Sequence, residues 1–149
     1  MFGALEYFQW LGDTFGNDQA GKFDGRYSGR ALTFKKALST VQAYEVTLSR
    51  TLLENLQEVP GLRLYGIADE RRFEWRVPTF SFTVKGWTPR QIAERLAGQG
   101  IYVWNGNFYA LAVTQRLELE SSGGLVRVGA THYNTIEEVQ KFGEVLRSL

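Results

Sequence analysis

The chain contains no cysteine and a single histidine, His132. Without thiols there is neither a disulfide framework nor a thiolate nucleophile, and one imidazole cannot supply the usual zinc ligand sets. No metal site is expected. Charge of one sign is also lacking: the formal net charge is +1 and like charges do not cluster. That leaves no electrostatic footprint for nucleic acid and no basic patch for a membrane surface. Long apolar runs are absent as well. Glu6, Gln9 and Asp13 interrupt the amino-terminal stretch, so the sequence predicts neither a signal peptide nor a membrane span, and a cytoplasmic protein is the expectation. What remains is 149 residues, 44% of them hydrophobic and 22% charged, which is enough apolar material to build a core rather than a disordered chain.

Hydrophobic periodicity divides the chain into elements. Residues 2 to 11 read as a short helix with Phe2, Leu5, Phe8 and Leu11 in one stripe, while Tyr7 and Trp10 widen the apolar surface beyond what one core covers. A second body is expected to pack there. Residues 12 to 30, rich in Gly, Asp and Asn, read as a loop without a phosphate-cradling motif. Leu38, Val41, Tyr44, Leu48, Leu52 and Leu56 recur at spacings of three and four, which predicts a long helix from Leu32 to Glu58 that Pro60 and Gly61 bring to an end. Lys35 and Lys36 belong to its solvated face. Leu62 to Tyr65 reads as a short strand, and 69 to 76 as a mixed-charge connection. At Thr79 to Lys85, Phe80, Phe82 and Val84 alternate with Thr79, Ser81 and Thr83, as in a strand with one buried face. Thr88-Pro89-Arg90-Gln91 carries a threonine cap, a proline in the first turn and a glutamine placed for a capping box. The helix that follows ends at Gly98 or Gly100, and Ile101 to Trp104 is the next expected strand.

Leu125 to Ala130 alternates again, with Val126, Val128 and Ala130 on one face and Arg127 on the other. Asn134 or Thr135 then caps a terminal helix, with Glu137 or Glu138 at the third helical position. A guanidinium near a strand end is a fixed fork of donors matched to a carboxylate, so Arg127 is either an anion anchor or half of an internal ion pair. His132, alone beside a helix cap, reads as a packing or hydrogen-bonding residue. Asn105-Gly106 between apolar runs reads as a turn.

The run Arg127-Val-Gly-Ala-Thr-His-Tyr-Asn134-Thr-x-Glu-Glu-Val resembles the carboxy-terminal signature of the class V aminotransferase superfamily, and more narrowly of its cysteine desulfurase-like branch. Arg76-Val-Pro-Thr-Phe-Ser-Phe-Thr-Val and Gly100-Ile-Tyr-Val-Trp-Asn-Gly-Asn-Phe-Tyr109 extend the resemblance over most of the chain. It implies an α+β fold, a small and mainly antiparallel sheet with helices on one face preceded by a long inter-domain helix, as in the small domain of a fold-type I pyridoxal phosphate enzyme. Residues 1–30 then correspond to a remnant of a large-domain helix plus a loop, and 31–149 to the small domain. In that family the motif arginine binds the α-carboxylate of an amino-acid substrate, which gives Arg127 this role. The loop with Asn105, Asn107 and Tyr109 closes over the substrate.

Two departures from the family pattern shape the expected function. Tyr109 stands where the thiol-dependent desulfurases carry the cysteine that accepts sulfur, and a phenol cannot form a persulfide. Pyridoxal phosphate needs a lysine to carry it, an acid for its ring nitrogen and a phosphate cradle, and none of Lys22, Lys35, Lys36, Lys85 and Lys141 has the flanking residues of the family's lysine. The expectation is therefore a carboxy-terminal domain whose complete enzyme binds pyridoxal phosphate and an amino acid and is dimeric. Alone, the chain is expected to bind no cofactor, to be inactive and to self-associate in place of contacts with the missing large domain. The other reading is a free-standing, non-catalytic binding module that retains this fold.

Overall fold

A computed structural model describes residues 2–23 and 25–149. The chain forms two compact units, one reaching to Glu45 and the other Val46–Leu149. The division falls inside a helix. No helix among the described residues is long and apolar enough to cross a membrane.

In the first unit, helix α1 (Phe2–Phe15) runs beyond the predicted residue 11, and Asn17–Phe23 wind into a 3-10 helix where the sequence suggests only loop. Local bonds explain the extension: Gln9 Nε2 donates to Asp13 Oδ2 at 3.2 Å, and Gly16 N to Gly12 O at 3.1 Å. Thr33 Oγ1 donates to Asp13 and Thr40 Oγ1 to the Phe15 carbonyl, at 3.4 and 3.3 Å, which ties α1 to helix α2 (Gly29–Gln57). Leu11 and Ala37 are buried between them. Tyr7, Trp10 and Phe15 remain exposed and touch one another, with ring centroids 5.9 Å apart for Tyr7–Trp10 and 5.5 Å for Trp10–Phe15.

In the second unit, strands β1 (Leu62–Tyr65), β2 (Thr79–Val84), β3 (Trp104–Gly106) and β4 (Leu125–Gly129) form an antiparallel sheet in the order β1-β2-β4-β3. Phe80 pairs with Val128 and Phe82 with Val126, so the largest side chains of the two central strands share one face. That face is covered by Leu48, Leu52, Leu53 and Leu56 of α2, Ile92 and Leu96 of α3 (Pro89–Ala97), and Val139, Phe142 and Leu146 of α5 (Ile136–Arg147). The α+β fold read from the sequence is the one found. Leu38 and Tyr44, counted in the helical stripe, are exposed; within the second unit the buried stripe of α2 begins at Leu48.

Both expected capping boxes form, Thr88 with Gln91 and Thr135 with Glu138. The strand expected at Ile101–Trp104 starts only at Trp104. Its first three residues are taken up in leaving α3, where Ile101 N donates back to Leu96 O at 3.0 Å after Gly100 turns with φ +75°. Pairing with β4 then runs from Trp104↔Arg127 to Gly106↔Leu125. A short helix α4 (Leu111–Arg116) and a 3-10 turn at Glu120–Ser122 fill the connection to β4, which carries no clear periodic signal.

Gly143 marks the closest approach of α5 to α2: a Cβ there would stand 2.7 Å from Asn55 Cβ and overlap its amide. The amide is itself held, donating to Thr51 O at 2.8 Å and accepting from Arg147 Nη1 at 2.9 Å. Gly143→Ala is expected to lower stability by about 1–3 kcal/mol through overpacking, measured as a lower denaturation midpoint with the m-value unchanged.

Candidate functional site

On β4, alternation places Arg127 on the sheet face opposite the helices. Its cross-strand partners are Ser81 of β2 and Trp104 of the edge strand β3. The guanidinium carbon lies 5.5 Å from the Trp104 ring centroid and 4.5 Å from that of Phe108, within the range of a cation-π contact. Arg127 is half-buried, and among the described residues no carboxylate pairs with it. The internal ion pair that its position also suggests does not form among the described residues.

Arg76, from the other arginine-bearing motif, has a different fate. It lies 3.4 Å over the Phe80 ring and donates to the carbonyls of Ile67, of Thr79 at 2.5 Å and of Val77 at 3.2 Å. Burial pushes its pKa below the usual arginine value. Arg76 is committed to the backbone that leads into β2.

The connection after β3 carries Asn107, Phe108 and Tyr109. Phe108 and Tyr109 have φ of +55° and +61°, the left-handed region that costs a non-glycine residue about 1–2 kcal/mol. Asn107 shapes this turn: its Oδ1 accepts from Tyr109 N at 3.2 Å, while its Nδ2 donates to Glu120 Oε1 at 3.0 Å. Glu120 Oε2 also accepts from Thr114 Oγ1 at 2.5 Å, and Thr114 is 1% exposed. On the return to β4, Gly124 has φ +84°, and a Cβ there would collide with the Gly106 carbonyl and stand 3.1 Å from Asn107 N.

The residues singled out by the sequence are therefore not all together. Asn105 pairs with Val126, which puts it on the opposite face from Arg127, in a shallow recess beside Arg90, Glu94 and Tyr102. Asn107 directs its side chain to Glu120. Tyr109 is 98% exposed at the tip of the turn. Trp104 and Phe108, which lie against Arg127, were missed because their proximity depends on strand register and a left-handed turn. The His132 ring stacks edge-on with Tyr133 at 5.6 Å, between β4 and α5.

For pyridoxal phosphate the test is whether a desolvated lysine is present to carry it. Lys22, Lys35, Lys85 and Lys141 are exposed, and half-buried Lys36 donates to Asn17 Oδ1 at 3.4 Å. None of these lysines fits a cofactor that needs a desolvated amine to carry it.

The family model for aminotransferase class-V matches residues 29–142. The chain belongs to the class V aminotransferase family. Within it, similarity lies with the cysteine desulfurase branch. A cysteine desulfurase of Synechococcus elongatus is 32% identical over 81% of this chain and 18% of its own length. A probable cysteine desulfurase of Mycobacterium leprae is 31% identical over 81% of this chain and 19% of its own length. The solved apo cysteine desulfurase of Thermococcus onnurineus superposes with a TM-score of 0.65 at 27% identity, over 80% of this chain and 29% of that one. The cystine C-S lyase C-DES, at 15% identity and a TM-score of 0.53, shares the fold over 87% of this chain and 32% of its own. This class V chain thus spans about a fifth of the length of these two curated relatives.

The turn between β4 and α5 gives a pH test. Glu138 is held below the usual carboxylate range, first by the Asn134 amide donating to its Oε2 at 3.0 Å and then by Thr135 N at 3.1 Å. A pKa depressed on folding adds stability above the ordinary value of 4.5, and this is lost as the pH falls through the folded pKa. Wild type is therefore expected to exceed Glu138→Gln in melting temperature at neutral pH, with the gap closing on acidification below that value.

Proposed function

We propose that this chain is the carboxy-terminal domain of a pyridoxal-phosphate-dependent enzyme of the cysteine desulfurase-like branch, in which Arg127 binds the α-carboxylate of the amino-acid substrate. The observation that carries this reading is a half-buried arginine, fixed against two aromatic rings, with no carboxylate partner among the described residues. Such a guanidinium has its N–H fork available for a bidentate pair. In the complete enzyme, pyridoxal phosphate would supply the electron sink for chemistry at the substrate α-carbon. Arg127 fixes the substrate's orientation toward it. Phe108 and Trp104 limit water around the ion pair, and the 105–109 turn closes that side of the site. Tyr109, at the position aligned with the sulfur-accepting cysteine, leaves the persulfide route without its thiolate.

In the complete enzyme, Arg127→Ala is expected to lower kcat/KM by about 2–5 kcal/mol, the cost of removing one partner of a desolvated charge pair. Arg127→Lys keeps the charge and loses the planar fork, so it should fall between wild type and alanine. Cofactor absorbance and melting temperature should stay at wild-type values in both. An unchanged kcat/KM, or a loss of stability that affects every ligand alike, would refute the anchor.

The exposed Tyr7, Trp10 and Phe15 of α1 form, on this reading, a face covered by the large domain. Light scattering of the isolated chain is expected to show self-association that Trp10→Ser reduces. A clean monomer with no effect of the substitution contradicts it.

A further inference from the structure

β3 and β4 form a hairpin with a long connection, residues 107 to 124, and the two hairpin strands carry the two sides of the Arg127 contact. Trp104 stays against Arg127 because the two are register partners. Phe108 has no such guarantee. It lies past the end of β3, in the first of two successive left-handed residues, where the intrinsic preference of the chain is to be elsewhere. Something must hold it.

We infer that Glu120 and Asn107 are positioning residues that keep Phe108 against the Arg127 guanidinium. The inference rests on the proposed anchoring role of Arg127 and explains how its fork is kept oriented.

The bonds form a closed set around Phe108. Asn107, immediately before it, uses its side-chain carbonyl oxygen to accept from Tyr109 N, immediately after it, at 3.2 Å, so the Asn107 side chain brackets the residue between. Asn107 O accepts from Ala110 N at 2.8 Å, which completes the turn. The Asn107 amide is then fixed from outside by Glu120 Oε1, at 3.0 Å. Glu120 in turn is fixed by Thr114 Oγ1 on Oε2, and Thr114 is buried. A carboxylate suits this place because it offers an oxygen to each neighbour, one to the Asn107 amide and one to the Thr114 hydroxyl, which also lies 3.0 Å from the Leu111 carbonyl. Glu120 stands four residues before Gly124, where the returning chain is pressed against Gly106 and Asn107. The outgoing and returning limbs of the connection are thereby joined at its mouth, beside the strand pair that carries Trp104 and Arg127. A guanidinium stacked on rings that are themselves held loses few rotamers when it meets a carboxylate, which is the usual benefit of supporting a binding group from behind.

The test uses the 149-residue chain without substrate, and reads the Nε–Hε correlation of Arg127 by NMR in uniformly 15N-labelled protein. Contact with two aromatic rings should displace this signal from those of the exposed arginines. Glu120→Ala and Asn107→Ala should each move it toward the exposed group, while the β4 amide signals remain those of the folded sheet. Thr114→Val removes only the hydroxyl at nearly constant shape and should move it in the same direction by less, and Thr114→Ser should restore it. If Glu120→Ala unfolds the chain, the Thr114 pair decides. An Arg127 signal that stays in place in folded Glu120→Ala, or in Thr114→Val, overturns the inference. Because no substrate is present, such a result removes the positioning role alone, whereas failure of the anchor itself appears only in the kinetics of Arg127→Lys and Arg127→Ala.

Discussion

Antiparallel pairing of β2 with β4 is the constraint from which the rest follows. Phe80 opposite Val128 and Phe82 opposite Val126 put the bulk of both strands on one side, and α2, α3 and α5 then cover that side. Side chains on a strand alternate, so the same register sends Ser81 and Arg127 to the other face. A slip by one residue would bury the guanidinium among leucines and phenylalanines and expose Val126 and Val128. Desolvating an unpaired charge costs far more than the burial of one apolar side chain stabilises. Core packing thus orients the candidate site without any residue of that site having to specify its own direction.

The two motif arginines show how the same side chain is divided between scaffold and site. Arg76 commits its donors to three backbone carbonyls and lies over Phe80, a core residue. It closes the entry to β2. Arg127 rests on Trp104 and Phe108, and no described carboxylate pairs with it. Rings hold a guanidinium without occupying its N–H groups, since the attraction acts through the ring quadrupole. A carbonyl cage immobilises an arginine and takes up three of its five N–H donors; an aromatic support immobilises it and leaves them for a ligand.

Much of this was legible from the residues, for reasons that differ by element. The capping boxes at Thr88 and Thr135 are local chemistry completed within four residues, and both form. Strand β2 was legible because three phenylalanine or valine side chains alternate with hydroxyl residues. Residues 12 to 30 were less so: turn residues such as Gly16 and Asn17 mark breaks, but they do not exclude a further helical turn or a 3-10 segment between the breaks. Ile101 to Val103 have strand composition yet are used in leaving α3, because an apolar run shows that side chains are buried and not how its backbone is bonded. Asn105, Asn107 and Tyr109 were grouped with Arg127 by the family resemblance of their loop. Asn105 fell on the opposite face by alternation alone, and the Glu120 carboxylate that engages Asn107 lies thirteen residues further on.

Arg127 and Tyr109, the two positions that the proposed function turns on, rest on different kinds of structure. Arg127 stands on a central strand whose register is set by the core, so its direction is fixed by the sheet. Tyr109 stands at the tip of a turn, 98% exposed, and its backbone conformation is imposed by Asn107 rather than by its own side chain. Loop tips of this kind exchange residues at little cost to the scaffold. On the proposed correspondence of Tyr109 with the sulfur-accepting cysteine, a phenol at this tip lacks the polarisable nucleophile that persulfide chemistry requires. On the proposed reading, carboxylate binding and sulfur acceptance are separable, because one would depend on strand register and the other on a single side chain at the end of a turn.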